Sequence, residues 1–353
     1  MPAAMLDTPL PVLDLDAVER NIARMQAYCD EHGIAFRPHI KTHKLPQLAR
    51  RQVAAGAIGI ACQKLGEAEV MADAGLDDIL LTFPLVGAEK ARRFASLASR
   101  VRMSTAADSA TAAEGLSQAL AAEGAEAGFL VDVDTGLGRT GVQTPAEAAE
   151  LALLVDRLPG LCFDGLMTYP TGPATVAVLE EAKAEIERAG LMVRIISGGG
   201  TPHAFAAHTT PIVTEIRAGT YVYGDRACIE DGTSALDECA LRVRSTVVSR
   251  PTAGRAILDA GSKTLSSDPV AGHPEVGGFG LVVEHPAARL YALNEEHGYL
   301  DVSACPDLPD IGDVVTIVPN HACVVSNLHD HVLAQRDGAP AEVWRVAARG
   351  LVR

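Results

Sequence analysis

The chain has 353 residues, 48% of them hydrophobic and 21% charged, the make-up of a folded globular protein rather than a disordered one. Its 45 acidic residues against 30 Lys plus Arg leave a formal charge of -15, which argues against a nucleic-acid or anionic-membrane surface. The opening MPAAMLDTPLPVLDLDAVERN has no basic stretch leading into a long apolar core, and no later run reaches about 18 apolar residues, so no membrane is expected and the cytoplasm is the expected compartment.

From about residue 35 to 222, short β-branched runs alternate with longer Ala-, Leu- and Glu-rich stretches of helical spacing, the signature of a parallel sheet. The runs are IAFRPHI, AIGIACQ, DILLTFP, RVRMSTA, GFLVDVD, FDGLMTY, VRIISGG and EIRAGTYVY. Between them, LPQLARRQVAAG and LGEAEVMADAG end in Gly56 and Gly75, where glycine suits the position that closes a helix. Eight such strands predict an α/β fold, a closed (β/α)8 TIM-type barrel over residues 10–234, with an open doubly wound sheet as the alternative. After about residue 235 the texture changes to LRVRSTVVSRP, GRAILDAGSKTLS, GFGLVVEHP, ARLYALNEEHGYLDV and DVVTIVPNHACVV, strand-like runs with no convincing helix between them. They predict a C-terminal antiparallel β domain over residues 235–353, joined by residues 1–9. The seven cysteines, an odd and scattered number, predict no disulfide framework and for the most part small buried core residues, Cys323 being the exception.

Barrels of this kind do their chemistry at the C-terminal ends of the strands. The first run ends in FRPHIKTHK, with His39, Lys41, His43 and Lys44; the second in Gln63; the fifth in DVDTGLGRTG; the sixth in Tyr169; the seventh in SGGGTP; the eighth in GTYVYGDR. Consecutive glycines let backbone N–H groups approach an anion, and many barrels bind phosphate after strands seven and eight. Three glycines alone are more often a tight turn, but their place in the strand count favours the anion. An isolated lysine is usually a solvated surface charge, whereas one at a strand end facing an anion site, withdrawn from water, is a neutral amine able to form a Schiff base. If the strand stays extended, alternation puts His39, Lys41 and His43 on one side and turns Lys44 away, which selects Lys41. His39 then tunes protonation or lines the substrate pocket, and Tyr169 joins it as a catalytic candidate.

In the second domain, PNHACVVSNLHDHV sets His321 and Cys323 two apart, facing the same way if they lie on a strand. Imidazole with thiolate suits zinc, although a lone His-x-Cys is more often packed core. His329 and His331 read as exposed polar residues, and Arg226 as either a partner for a substrate carboxylate or half of a salt bridge.

A Schiff-base lysine with a phosphate cradle points to pyridoxal 5′-phosphate. Here the sequence resembles the fold-type III pyridoxal phosphate enzymes with their alanine racemase-like barrel, and within them the D-threonine aldolase and D-serine dehydratase family, over nearly the whole chain and with the motifs in the family's order. RPHIKTHK resembles the cofactor-lysine motif, which implies that Lys41 carries the cofactor; DTGLGRTG implies that Arg139 serves its ring. SGGGTP resembles the phosphate loop, through Ser197, Gly199, Gly200 and Thr201, and GTYVYGD the tyrosine-bearing segment with Tyr221 and Tyr223; Gln63 and Tyr169 complete the cofactor-binding set. The resemblance further implies a divalent metal, zinc, manganese or magnesium, on His321 and Cys323, and a homodimer. The function it implies is a metal-assisted lyase acting on D-3-hydroxy amino acids by retro-aldol cleavage to glycine and an aldehyde. The alternative is a dehydratase of D-serine or D-3-hydroxyaspartate, releasing a 2-oxo acid and ammonia. An amino-acid racemase or a non-catalytic pyridoxal phosphate-binding barrel stands behind these, and the extra domain with its metal pair weighs against both.

Overall fold

In a computed structural model, residues 7–353 are described, and they form two compact units. One unit takes the chain up to Ala23 together with Thr42–Leu45 and Thr220–Gly350; the other takes Arg24–Lys41, Pro46–Gly219 and Leu351–Arg353.

The chain begins with β1 (Leu10–Asp14) and α1 (Leu15–His32). The eight runs read from the sequence then appear in order as β2 (Ala35–Phe36), β3 (Ile60–Cys62), β4 (Asp78–Leu81), β5 (Arg102–Ala107), β6 (Ala127–Asp132), β7 (Leu161–Met167), β8 (Ile195–Gly199) and β9 (Glu215–Arg217). All are parallel, in the order β2-β9-β8-β7-β6-β5-β4-β3. The seam between the first and last strands is closed by the Ile58 N–H on the Phe36 carbonyl at 2.9 Å, the Ala61 N–H on the Pro38 carbonyl at 2.8 Å, and a parallel bridge between His39 and Ala61. The sheet is therefore a barrel, not an open doubly wound sheet.

Crossover helices α2 (Pro46–Ala54), α3 (Leu65–Asp73), α4 (Ala88–Ala98), α5 (Ala110–Glu123), α6 (Pro145–Arg157) and α7 (Val176–Arg188) wrap it. Their ends follow local rules: Thr144 and Glu147 form a reciprocal cap on α6 behind Pro145, and Gly75, with φ of +86°, follows α3 as expected. The step from β8 to β9 differs from the pattern, being a 3-10 helix over Ala204–Thr209. Leu80, Ala106, Leu130 and Met167, with Ile195 against them, carry the apolar core across β4 to β8.

The other unit is built on a nine-stranded sheet. Its strands after the barrel are β10 (Leu241–Thr252), β11 (Arg255–Leu258), β12 (Leu281–Val282), β13 (Arg289–Leu293), β14 (Gly298–Asp301), β15 (Val314–Val318), β16 (His331–Arg336) and β17 (Ala339–Arg345). Every pairing is antiparallel except β1 with β16. Alternate burial along β10, with Leu241, Val243, Ser245 and Val247 inward, is the period-2 pattern of its sequence.

Three features depart from the sequence reading. Leu10–Asp14 pairs with β10 and β16, so this sheet takes in residues beyond the 1–9 assigned to it; residues 1–6 of that expectation lie outside the described residues. Past the short helix α8 (Arg226–Glu230), two further short helices, α9 (Ser262–Leu265) and α10 (Ala322–Leu328), interrupt a region expected to hold none. And β16 with β17 forms a hairpin whose turn, Asp337 and Gly338 at φ of +49° and +72°, went unread although Asp-Gly is a strong hairpin signal.

Candidate active site

The first strand end does not continue as a strand. After His39 the chain turns into a 3-10 helix, Ile40–Thr42, so the extended alternation expected for His39, Lys41 and His43 fails. Lys41 emerges exposed, not withdrawn from water as expected, while Thr42, His43 and Lys44 are buried. Lys44 sits at φ of +55° with Nζ 3.5 Å from the Ala348 carbonyl, committed to backbone. His39 is committed too: Nδ1 accepts from the Lys41 N–H at 3.4 Å, and Nε2 lies 3.1 Å from both Gln63 Oε1 and Thr82 Oγ1. That pattern is a neutral imidazole protonated on Nε2, which shapes the turn presenting Lys41 rather than offering a base. The structure thus brings His39 and Gln63 together. Gln63 is fixed in turn because buried Glu67 accepts the N–H groups of Gln63 and Lys64 at 2.8 and 3.1 Å, capping α3.

The loop after β6 is folded by its own carboxylate. Asp134 Oδ1 accepts the N–H groups of Gly136, Leu137 and Gly138, which holds its carboxyl below the usual range. Gly141, at φ of +116°, has no room for a Cβ against the Asp134 backbone. Arg139 stands exposed on this loop with its guanidinium 5.2 Å from the centre of the Tyr169 ring. Tyr169 in turn lies on the glycine turn: a Cβ on Gly199 would sit 3.3 Å from its Cδ2, and one on Gly200, at φ of +115°, 3.1 Å from its Cε2. Arg139, Tyr169, Gly199 and Gly200 are therefore one cluster. Thr201 beside them is buried.

Ser197 faces elsewhere. Fully buried, its hydroxyl donates to Glu215 Oε1 at 2.5 Å and accepts from Arg217 Nη1 at 2.6 Å. The tight turn thus has packing reasons of its own: Thr171 Oγ1 takes the Gly199 N–H at 2.8 Å, and a Cβ on Gly199 would come within 3.0 Å of Arg217 Nη2. Arg217, overlooked in the sequence, is buried; burial, partly offset by Glu215 and Asp132, pushes it down to about 10. Its signal was there, since EIR places two opposite charges two apart on one face of a short barrel strand.

In the β unit, His321 and Cys323 are not on a strand. His321 precedes α10 and Cys323 lies in its first turn, because buried Asp225 accepts the Ala322 N–H at 3.1 Å and starts the helix there. The two side chains still meet. The His321 imidazole hydrogen-bonds Cys323, and Nδ1 lies 2.7 Å from Asp268 Oδ2. The bond to Cys323, with Asp268 adding to it and burial opposing, pushes His321 up to about 9. With Nδ1 on Asp268, Nε2 is the nitrogen left for the thiol. Among the described residues no three His, Cys, Asp or Glu side chains converge as a metal-binding group. Cys323 Sγ also lies 3.2 Å from the hydroxyl of Thr42 and 3.7 Å from that of Thr220. One peptide bond separates Thr42 from Lys41.

Of the tyrosines expected to serve the cofactor, Tyr221 and Tyr223 are buried. Tyr223 is 6.3 Å ring to ring from His43 and bonds Ser326 of α10, with burial raising its phenol well above the ordinary value. It packs behind the His321–Cys323 corner. Arg226 donates to the Gly277 carbonyl at 2.8 Å. His329 is half-buried against the Thr264 carbonyl, 3.2 Å away, where exposure was expected, and His331 is exposed.

The alanine racemase N-terminal domain model matches residues 13–227, and a serine dehydratase domain model matches residues 240–334. A D-threonine aldolase of Arthrobacter is 37% identical over 370 residues, spanning 100% of this chain and 95% of its own. Among solved structures, D-threonine aldolase from Filomicrobium marinum superposes with a TM-score of 0.89 at 34% identity, covering 98% of this chain and 97% of that one. D-threo-3-hydroxyaspartate dehydratase from Delftia superposes with a TM-score of 0.84 at 31% identity, covering 96% and 97%. That dehydratase has been solved as a histidine-to-alanine variant and, two positions on, as a cysteine-to-alanine variant in a metal-free form.

Proposed function

This chain belongs to the family of the alanine racemase N-terminal domain, and we propose that it is a metal-assisted, pyridoxal phosphate-dependent lyase that cleaves D-3-hydroxy amino acids to glycine and an aldehyde. The observation that carries the reading is end-to-end likeness to a D-threonine aldolase, at 37% identity. The residues fit the cofactor. An exposed amine at Lys41 is available for covalent attachment, the glycine turn with Thr201 suits a phosphate, and the Arg139–Tyr169 pair suits an aromatic ring. Pyridoxal phosphate, when bound, supplies a ring that withdraws electrons from the substrate Cα.

The corner of His321 and Cys323 fits a divalent metal by its donors, an imidazole nitrogen and a sulfur that favour zinc over manganese or magnesium, with positions left for a substrate oxygen. A Lewis acid held there would ease loss of the β-hydroxyl proton. Asp268 keeps the imidazole turned, and the Thr42 hydroxyl holds the thiol. His39, its ring nitrogens engaged, holds the Lys41 turn.

Which proton leaves decides the outcome. Loss of the hydroxyl proton breaks Cα–Cβ, the aldolase course; removal of the Cα proton by Lys41 Nζ expels the hydroxyl, the dehydratase course. The second reading draws on the Delftia dehydratase, whose metal-free cysteine variant parallels the His-x-Cys spacing here. Incubation with D-threonine separates them. Glycine with acetaldehyde supports the aldolase; 2-oxobutyrate with ammonia replaces it by the dehydratase; comparable consumption of L-threonine removes both. The same reading expects a cytoplasmic homodimer, which sedimentation of the holoenzyme tests for its oligomeric part.

A further inference from the structure

Most barrels of this kind fill the interior with branched apolar side chains. Here one side of the interior carries a line of charge instead. Asp78, at the start of β4, pairs with Arg37 Nη1 at 2.5 Å; Arg37 Nε pairs with Glu215 Oε2 at 2.9 Å; Glu215 Oε1 accepts from Ser197; and Ser197 accepts from Arg217, whose Nη2 donates to the Thr168 carbonyl at 2.9 Å. The line runs from the N-terminal end of the barrel to the C-terminal end, where a Cβ on Gly199 would touch Arg217. Arg37, Glu215 and Arg217 are all under a tenth exposed, so none of these partners is exchanged for water. Gly59 serves it as well, since a Cβ there would press on Arg37 and on the Asp78 backbone.

The charges are unevenly matched. Two buried guanidiniums share Glu215; Arg37 has Asp78 in addition, while Arg217 has only Asp132, whose carboxyl burial holds toward its neutral form. Arg37 and Arg139 face Arg217 as like charges. Glu215 is thus the charge that keeps Arg217 in place and ionised.

Resting on the cofactor assignment above, we infer that Glu215 is a positioning residue: through Ser197 it holds the Arg217 guanidinium beneath the glycine turn and so sets how tightly the barrel mouth takes up its phosphate-bearing cofactor.

The test titrates the full-length chain, freed of cofactor, with pyridoxal 5′-phosphate and follows the visible absorbance across pH. Glu215→Gln should weaken binding at least tenfold, and Glu215→Asp should recover most of the loss. Because the carboxylate supports the Arg217 charge against burial, its removal should also move the alkaline limit of cofactor binding to lower pH, a change that a merely structural role would not produce. A folded Glu215→Gln protein with affinity within twofold of wild type and an unmoved pH limit overturns the inference. Should that variant not fold, Ser197→Ala decides, since it keeps every charge and cuts only the relay: several-fold weaker binding upholds the inference, unchanged binding overturns it. Wild-type protein that takes up no pyridoxal phosphate removes the cofactor assignment itself, an outcome distinct from variants that match a binding wild type.

Discussion

In the barrel unit the side chains offered to chemistry are exposed and are placed through backbone turns, which His39 and Asp134 fold by accepting main-chain N–H groups. Lys41 rides a 3-10 turn pinned by His39 and Arg139 a loop wound around Asp134, while Tyr169 packs against a glycine turn in which an added Cβ has no comfortable place. In the β unit the arrangement is reversed: His321 and Cys323 sit at the start of a short helix and are held by side chains, Asp268 on the imidazole, Asp225 on the helix start and Thr42 on the thiol. The difference teaches where each unit is vulnerable. The barrel mouth should fail when its backbone is altered or its reactive amine removed; the corner should fail when a supporting carboxylate is lost.

The largest expected effect is at the amine. Lys41→Ala should lower turnover by roughly a thousandfold or more, because no other exposed lysine occupies that turn. Borohydride reduction of the holoenzyme followed by peptide mapping should find the pyridoxyl group on Lys41. Lys44→Ala should keep that label, since Lys44 is buried against the Ala348 carbonyl; a label on Lys44 would break the contrast at its root.

Next comes metal removal. Chelation should abolish lyase turnover while the visible absorbance of the bound cofactor persists, and a His321→Ala, Cys323→Ala double variant should behave as the chelated protein does. If that double variant turned over normally after chelation, the corner would be packing and nothing more.

How much of this was legible in advance follows from the kind of signal involved. The eight barrel strands could be read because β-branched runs between helical stretches report period directly, and Gly75 closes α3 for the reason glycine usually does. The pairing of His321 with Cys323 was legible as chemistry but not as geometry. A spacing of two suits a strand, yet the residues meet in the first turn of α10, which depends on Asp225, distant in sequence. The ionic line through the barrel was legible only in part, in the EIR spacing of Glu215 and Arg217: Arg37 and Asp78 look like ordinary surface charges until strand order brings β2, β4 and β9 around one interior. The burial of Tyr223 was not legible, because a tyrosine in a matching motif says nothing of which way the ring turns.

A smaller effect should come from the glycine turn. Gly200→Ala forces a side chain into φ of +115° and to 3.1 Å from the Tyr169 ring, a strain of about 1–3 kcal/mol. Cofactor affinity should drop by about ten- to a hundredfold, which an absorbance titration reads, while metal affinity stays put. Loss of metal affinity instead would mean that the two regions do not fail separately.

The smallest effect tests the other half of the comparison. Asp268 is partly exposed and touches only the far nitrogen of His321, so its part is to fix which nitrogen bears the proton and which way the ring points. Asp268→Asn retains an oxygen that can accept from Nδ1–H but gives up the negative charge, so orientation largely survives while the imidazole becomes a weaker donor. Outer carboxylates of this kind are worth about ten- to a hundredfold in metal affinity, and the conservative change belongs at the lower end, about tenfold. Asp268→Ala, which removes the acceptor altogether, should lie toward the upper end. Competition with a chromophoric chelator measures both, and cofactor affinity should be the same in the two variants as in wild type. An unchanged metal affinity in Asp268→Ala would mean that the helix start alone places the two donors, by backbone, in the manner of the barrel mouth.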